Sequence, residues 1–405
     1  MKTVNFSLIL VFILVFLSCK NEKTLPNQEE KPYLIVLSMD GFRWDYADMT
    51  STPNFDKMAS QGVRAAMQAA FPTKTFPNHY TLATGLYPDY HGIVNNNFYD
   101  PHRDQTYEIP NRQLVQDGYF YGGEPIWNTA EKQGVKAATF FWVGSEADVQ
   151  SMRPSIWKTY DGSLSFHQRA DSVIAWLSLP EEKRPHLIMW YVDEPDGTGH
   201  SFGPNSIEIK RMVQSLDSLL GYFLEKMEQL PIASQVNFIL VSDHGMEEIS
   251  TERYINLQDF LDEKLVERFT GGNPVFNLWT AEGMHDSVLA VLQKVPNIAA
   301  YDSISIPARL HYMSHKRCGD IVVVADSAWS IGFRQAMGNY VGGTHGYDNR
   351  NTNMDAVFYA KGPAFRQGFR GHRFQNVDLY NLMAKILDIK PAPNAGDQDA
   401  FKLLK

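Results

Sequence analysis

The chain is poor in cysteine, with two, Cys19 and Cys318, in 405 residues. Two thiols can form neither a disulfide scaffold nor a thiolate zinc cluster, so a bound metal must be held by Asp, Glu and His. Positive charge is also short: 37 Lys and Arg stand against 46 Asp and Glu, with no basic run. At a net charge of -9, stable binding of nucleic acid through its phosphates is not expected. The sequence shows no internal repeat, and no low-complexity tract beyond a polar stretch near the N-terminus. Its N-terminal apolar run, Phe6 to Leu17, is too short to span a bilayer comfortably. What remains is a globular mix, 44% apolar and 20% charged, of a length that suits one large α/β domain or two ordinary ones.

The N-terminal run has the size of a signal-peptide core, preceded by Lys2 and followed by Leu17-Ser18-Cys19. A small residue before this cysteine resembles a bacterial lipoprotein signal. The expectation is a signal peptide over 1–18, a lipidated Cys19, and a polar tether over 19–32. The chain would then be exported to the bacterial cell envelope, periplasmic or outer, and held to the membrane through Cys19 only. The alternative is an ordinary signal peptide with an incidental cysteine. Cys318 reads as a small apolar core residue.

Short apolar, β-rich runs alternate with helical patterns along the rest of the chain. Tyr33–Met39, Val135–Trp142, Leu187–Val192, Val236–Ser242, Asp320–Val324 and Ala356–Tyr359 read as strands. Helical patterns fall near Pro53–Gln61, Pro125–Gln133, Ser163–Leu177, Ser206–Gln229, Met284–Val295 and Val377–Leu387. Near-continuous hydrophobicity means burial on both faces. The fold expected is therefore a doubly wound α/β domain over 33–390, with a mostly parallel central sheet and helices on both faces. Residues 253–342 are less regular and read as an inserted cap, and 391–405 as a C-terminal tail.

Such sheets place ligands beyond the carboxyl ends of their strands. Acids stand there: Asp40, Asp193 with Asp196, and Asp243. The fragments Ser-Met-Asp40-Gly, Pro-Thr-Lys-Thr75-Phe-Pro-Asn-His, Glu-Pro-Asp196-Gly-Thr-Gly-His200, Ser-Asp243-His244-Gly and Gly-Gly-Thr-His345-Gly carry the chemistry. Singly each is weak, because a strand-end Asp is often a cap or turn former. Together, three carboxylates and three imidazoles suit zinc or a similar divalent ion, and exceed what one tetrahedral site needs. A bimetallic centre can activate a nucleophile and stabilise a leaving oxygen, as phosphoryl transfer requires.

With these fragments the sequence resembles the nucleotide pyrophosphatase/phosphodiesterase family of the alkaline phosphatase superfamily. The most specific stretch is Pro72-Thr-Lys-Thr-Phe-Pro-Asn-His-Tyr-Thr-Leu-Ala-Thr-Gly-Leu-Tyr-Pro, followed by His91-Gly-Ile-Val-Asn-Asn. The resemblance implies an alkaline phosphatase-like fold and two zinc ions. It implies that Thr75 is the nucleophile, and that Asp40, Asp243 and His244 ligate the zinc that also binds its oxygen. Asp196, His200 and His345 would ligate the other zinc, and Asn96 would donate to a phosphate oxygen. Hydrolysis would run through a phospho-threonine and yield nucleoside 5′-monophosphates from small nucleotide diesters. Phe76 and Tyr160 would stack the base, with Trp142 in the pocket wall. On residues alone, Thr75 reads equally as a helix cap, Asn96 as a turn former, and the aromatics as packing. Two other readings stay open: a lysophospholipase C-like diesterase releasing phosphocholine, whose aromatics hold a quaternary ammonium, and a non-enzymatic surface lipoprotein that binds metal or ligand.

Overall fold

The computed structural model describes residues 31–334 and 341–405, with only the backbone of Glu263. The expected signal peptide, Cys19 and nearly all of the tether lie outside these residues. Strand Tyr33–Met39 shows how the fold is built. Leu34 and Val36 enter one core while Ile35, Leu37 and Met39 enter another across the sheet. Leu187–Val192 splits the same way, with Leu187 and Met189 on one side and Ile188, Trp190 and Val192 on the other. A period of two with apolar residues at both phases is the signature of a strand covered on both faces.

Helices supply the covers. Ile207–Glu228, started by Ser206 Oγ accepting the Ile209 N–H at 3.2 Å, buries Ile209, Val213, Leu216, Leu220, Phe223 and Met227 against one face. Phe166–Leu177, with a capping box at Ser165 and Gln168, packs beside it. Thr75–Thr84, Ile126–Lys132 and Asp378–Ile386 cover the opposite face.

The central sheet runs Phe369–Arg370, Val63–Gln68, Ala356–Lys361, Val236–Val241, Tyr33–Met39, Leu187–Val192, Ala137–Phe140, Ile156–Lys158. It is parallel except for Ala356–Lys361, which runs antiparallel to both neighbours. The expected strand Val135–Trp142 is shorter, because Phe141 takes φ 67° and turns the chain out of the sheet. Asp320–Val324 does not join the central sheet. Its counterpart, Ile321–Ala325, lies in a four-stranded antiparallel sheet with Val266–Gly272, Val275–Thr280 and Ile298–Tyr301, backed by helix His285–Leu292. This sheet occupies the segment expected as an insertion. The C-terminal residues do more than trail: Ala400 and Leu403 are buried, and Leu404 bridges to Phe365. Cys318 is buried, as a small core residue would be.

His91 is fully buried, and its donors and acceptors are matched as a neutral ring. Nδ1 accepts the Ile93 N–H at 3.2 Å, while Nε2 lies 3.2 Å from the Pro77 carbonyl. Burial, helped by nearby His315 and Arg317, pulls its pKa from 6.5 down to about 3. The unfolded chain takes a proton here below about pH 6.5 while the folded chain refuses it. Stability is therefore fully present above that pH and is lost as pH falls toward 3, by about 1.4 kcal/mol per pH unit for one proton. His91→Gln should show a shallower loss of urea resistance between pH 7 and 5 than the parent. Equal slopes would contradict this.

Candidate metal centre and substrate cavity

Three adjacent strands, Val236–Val241, Tyr33–Met39 and Leu187–Val192, end at one edge of the sheet, and their following loops deliver Asp243-His244, Asp40 and Asp196. Asp196 begins the short helix Asp196–Phe202, which puts His200 one turn on, its Nε2 3.4 Å from Asp196 Oδ2. His345 comes from the loop after Gly342–Thr344, a strand paired with Glu247–Ile249. Close loop packing demands glycine. Gly41, at φ 66°, would place a Cβ 2.9 Å from that of Asp196, so a side chain there would push apart the loops that carry Asp40 and Asp196.

Asp40 and Asp243 each have a nearly spent oxygen and an open one. Asp40 Oδ2 accepts the Tyr191 hydroxyl at 2.6 Å, and Asp243 Oδ1 accepts the Gly41 N–H at 3.1 Å. The other oxygens, Asp40 Oδ1 and Asp243 Oδ2, are buried without a hydrogen-bond partner among the described residues, as is Asp196 Oδ1. The imidazoles are set to match. The Nδ1 atoms of His200, His244 and His345 lie 2.8, 2.9 and 2.8 Å from the carbonyls of Gly343, Gly245 and Thr73. A carbonyl only accepts, so each Nδ1 holds the proton and each Nε2 turns its lone pair inward.

These free atoms converge. Donors of Asp196, His200 and His345 lie within 4.8 Å of one another, as do those of Asp40, Asp196 and His244. His244 Nε2 stands 3.0 Å from Asp243 Oδ2, 3.5 Å from Asp40 Oδ1 and 3.2 Å from Thr75 Oγ1. The His244 and His345 rings stack at 3.6 Å, so the two donor groups adjoin. Orphaned buried carboxylate oxygens are costly unless a cation meets them. The donor set of carboxylate oxygens and imidazole nitrogens therefore fits divalent metal ions.

The electrostatics agree. Burial, then Asp243 and Asp196, push Asp40 well above the usual carboxylate range. Burial also opposes the charge on Asp243, yet His244 and His79 outweigh it and hold Asp243 well below that range. Burial, then His244, Lys74 and His200, push His345 well below the ordinary imidazole value. Lys74 is itself lowered to about 7, by burial against the pull of Asp196. Its Nζ donates to the Asn273 carbonyl at 2.7 Å.

Several supporting residues were not singled out by sequence. His79 Nδ1 lies 3.2 Å from Asp243 Oδ2 and 3.1 Å from the Thr75 carbonyl, and its Nε2 is 2.8 Å from Ser38 Oγ. With its Nδ1 proton on the Thr75 carbonyl, His79 packs against Asp243 rather than offering a lone pair. The only sequence signal was its place one turn after Thr75 in the same motif. Tyr191 sits within a strand, where nothing marks it. Asp193, at a strand end like the others, turns away and pairs with Arg169 at 2.8 Å. Arg43, beside Asp40 in sequence, binds Asp45 at 2.6 Å and contacts the Met246 carbonyl, so it brings no charge to the site.

Thr75 opens the helix Thr75–Thr84 at the floor of a cavity of about 330 Å³. Asp40, Asp196, His200 and His345 line one part of it, and Phe76, Asn96, Trp142 and Tyr160 another. Asn96 Oδ1 accepts the Phe76 N–H at 2.9 Å. Phe76 N–H is thereby engaged and Pro77 has no N–H, so of the first three residues of the helix only Thr75 has an amide left to offer. The same bond fixes the Asn96 side chain with its oxygen spent. Trp142 is buried, donates its indole N–H to the His79 carbonyl at 3.0 Å, and forms wall. Tyr160 is partly exposed, its ring 5.1 Å from Phe141. Glu146, deep in the cavity wall, is bonded to Arg112, to Gln116 at 3.0 Å and to the Tyr160 N–H at 3.0 Å.

Comparison with known proteins gives this constellation a family. The model for type I phosphodiesterase / nucleotide pyrophosphatase matches residues 34–348. The venom phosphodiesterase CdcPDE of Crotalus durissus collilineatus is 40% identical over 93% of this chain and 46% of its own length. Human ectonucleotide pyrophosphatase/phosphodiesterase family member 1 is 36% identical over 95% of this chain and 43% of its own. The chain thus spans about half the length of these curated relatives. Among solved structures, murine ectonucleotide pyrophosphatase/phosphodiesterase 5 superposes with a TM-score of 0.88 at 34% identity, covering 92% of this chain and 100% of that one. A second structure of that protein, an inactive threonine-to-alanine variant in complex with AMP, also gives 0.88, covering 93% and 100%. Both likenesses extend over the alkaline phosphatase-like α/β fold that carries the six donors, and the chain belongs to the type I phosphodiesterase/nucleotide pyrophosphatase family.

Proposed function

We propose that this chain is a two-zinc phosphodiesterase that hydrolyses small nucleotide diesters to nucleoside 5′-monophosphates through a phospho-threonine. The observation that carries the reading is the set of orphaned oxygens on Asp40, Asp196 and Asp243 beside Thr75, at the polar part of an aromatic cavity. Asp40, Asp243, His244 and the Thr75 hydroxyl would hold one ion, and Asp196, His200 and His345 the other. Bound there, divalent ions supply Lewis-acid charge that lowers the pKa of a hydroxyl and offsets charge on phosphate oxygens.

The chain's own residues do the rest. Thr75 Oγ1 attacks phosphorus, forming the P–O bond to threonine as the bond to the leaving alkoxide breaks. Water then cleaves the phospho-threonine, releasing the monophosphate and restoring the hydroxyl. With its oxygen held by Phe76, Asn96 has its amide N–H groups left to donate to a phosphate oxygen. The Tyr191 hydroxyl and the Gly41 N–H fix the rotamers of Asp40 and Asp243. Phe76 and Tyr160 present rings to the cavity that carries Thr75, which supports a stacked base. The AMP bound by a structural relative points the same way.

The phosphocholine reading needs an anion free to face a quaternary ammonium. Glu146 is the buried acid beside the aromatics, and Arg112, Gln116 and the Tyr160 amide already satisfy it, which favours the nucleotide. Phe76→Ala and Tyr160→Ala should each raise KM for p-nitrophenyl thymidine 5′-monophosphate about five- to 150-fold, the loss of roughly 1–3 kcal/mol of stacking. Turnover of bis-p-nitrophenyl phosphate, which has no base, should change much less. Equal losses on both substrates would remove the base slot. A selective loss on p-nitrophenyl phosphorylcholine would move these rings to a choline site.

A further inference from the structure

Thr73 is fully buried two residues before the nucleophile, and it is bonded at three points to the loop that carries His345. Its carbonyl takes the His345 Nδ1 proton at 2.8 Å. Its hydroxyl donates to the Tyr347 carbonyl at 3.1 Å and accepts the Gly346 N–H at 2.9 Å. The hydroxyl thus uses both its donor and an acceptor on the two residues that follow the ligand. Thr73 is itself held from below. The Asn78 side-chain amide donates to the carbonyls of Ala70, Pro72 and Lys74, and its oxygen accepts the Ala70 N–H at 2.8 Å. The segment entering Thr75 is therefore braced, and Thr73 passes that brace to a loop 272 residues away in sequence.

The His345 loop needs such a hold. Gly346 adopts φ 125°, where a Cβ would lie 2.6 Å from Lys74 Cε, so the loop approaches this segment closely and its backbone is intrinsically permissive. The three bonds fix the ring's rotation and the path of its loop beside Thr73. From this geometry we infer that Thr73 is a positioning residue. Its side chain locks the Gly346-Tyr347 backbone so that its carbonyl can set His345 Nε2 toward Asp196 and His200, tying the placement of the second metal to that of the nucleophile. The inference rests on the reading of Asp196, His200 and His345 as a metal site.

The test is zinc affinity measured step by step on the whole protein, by competition with a chromophoric chelator, for the parent, Thr73→Val and Thr73→Ser. Valine keeps the shape and loses both hydroxyl bonds. It should weaken one of the two zinc-binding steps by about 10- to 100-fold, the usual effect of losing a ligand's outer support, and leave the other unchanged. Serine, which retains the hydroxyl, should restore the parent's affinities. Thr73→Ala, which removes the same hydroxyl without placing a methyl against two buried polar groups, should repeat the valine result. Two parental affinities in Thr73→Val, or an equal weakening of both steps, would overturn the role given to Thr73 while leaving the metal site intact. Fewer than two ions bound by the parent would instead overturn the metal reading, and this inference with it.

Discussion

Thr75→Ala is expected to abolish diester hydrolysis while leaving the chain folded. The hydroxyl is the proposed attacking atom, and no other group beside it is placed to take over that role. His244 Nε2, 3.2 Å away, is directed at the donor cluster together with Asp40 and Asp243. Loss of the nucleophile in a serine hydrolase lowers kcat by on the order of 10⁶-fold, and a fall of comparable size is expected here. The six carboxylate and imidazole donors proposed as ligands remain in the variant, so zinc should still bind. Thr75 is only partly buried and alanine leaves its backbone bonds in place, so the melting temperature of the zinc-loaded variant should stay close to that of the parent. Hydrolysis of p-nitrophenyl thymidine 5′-monophosphate near the parental rate would show that threonine is not the nucleophile.

Metal removal should be equally severe, for a reason that lies in the carboxylates. Asp40, Asp196 and Asp243 each present a buried oxygen with no hydrogen-bond partner among the described residues. Asp40 is raised above the carboxylate range by burial and by the other two acids, so the cluster repels its own negative charge. A cation relieves that repulsion and aligns the site at once. Prolonged chelation should therefore abolish diesterase activity, and added zinc should restore it. It should also lower the melting temperature, since the ion binds the folded chain alone. Full activity in thoroughly depleted protein would contradict both the zinc assignment and the role of Thr75 as a metal-activated hydroxyl.

The sequence reads well where local chemistry declares itself. Asp40, Asp196 and Asp243 follow buried runs that alternate into two cores, and that placement alone puts them beyond the carboxyl edge of a parallel sheet. Val63–Gln68 is harder to see. Its burial alternates, but Arg64 and Gln68 interrupt the apolar pattern, and its pairing with the antiparallel Ala356–Lys361 depends on partners about 290 residues away. Ile321–Ala325 is as apolar as a central strand, and only tertiary pairing assigns it to the smaller sheet.

The same division holds in the candidate site. Ligand types at strand ends and in glycine-rich loops are visible in one dimension. Their supports are not: Tyr191 reaches Asp40 across 151 residues, and Asn96 spends its oxygen on Phe76 through a bond that no spacing announces. Arg43 and Asp193 show the converse, since both stand next to site residues in sequence and are bound elsewhere in space.

The central claim is that this cluster acts as a two-metal phosphodiesterase centre, and titration of metal-depleted protein with zinc tests it most directly. Hydrolysis of p-nitrophenyl thymidine 5′-monophosphate and bound zinc would be followed in the same samples. Activity should begin near zero and reach its plateau at two zinc ions per chain. A plateau reached with one ion, or full activity with none, would contradict the account.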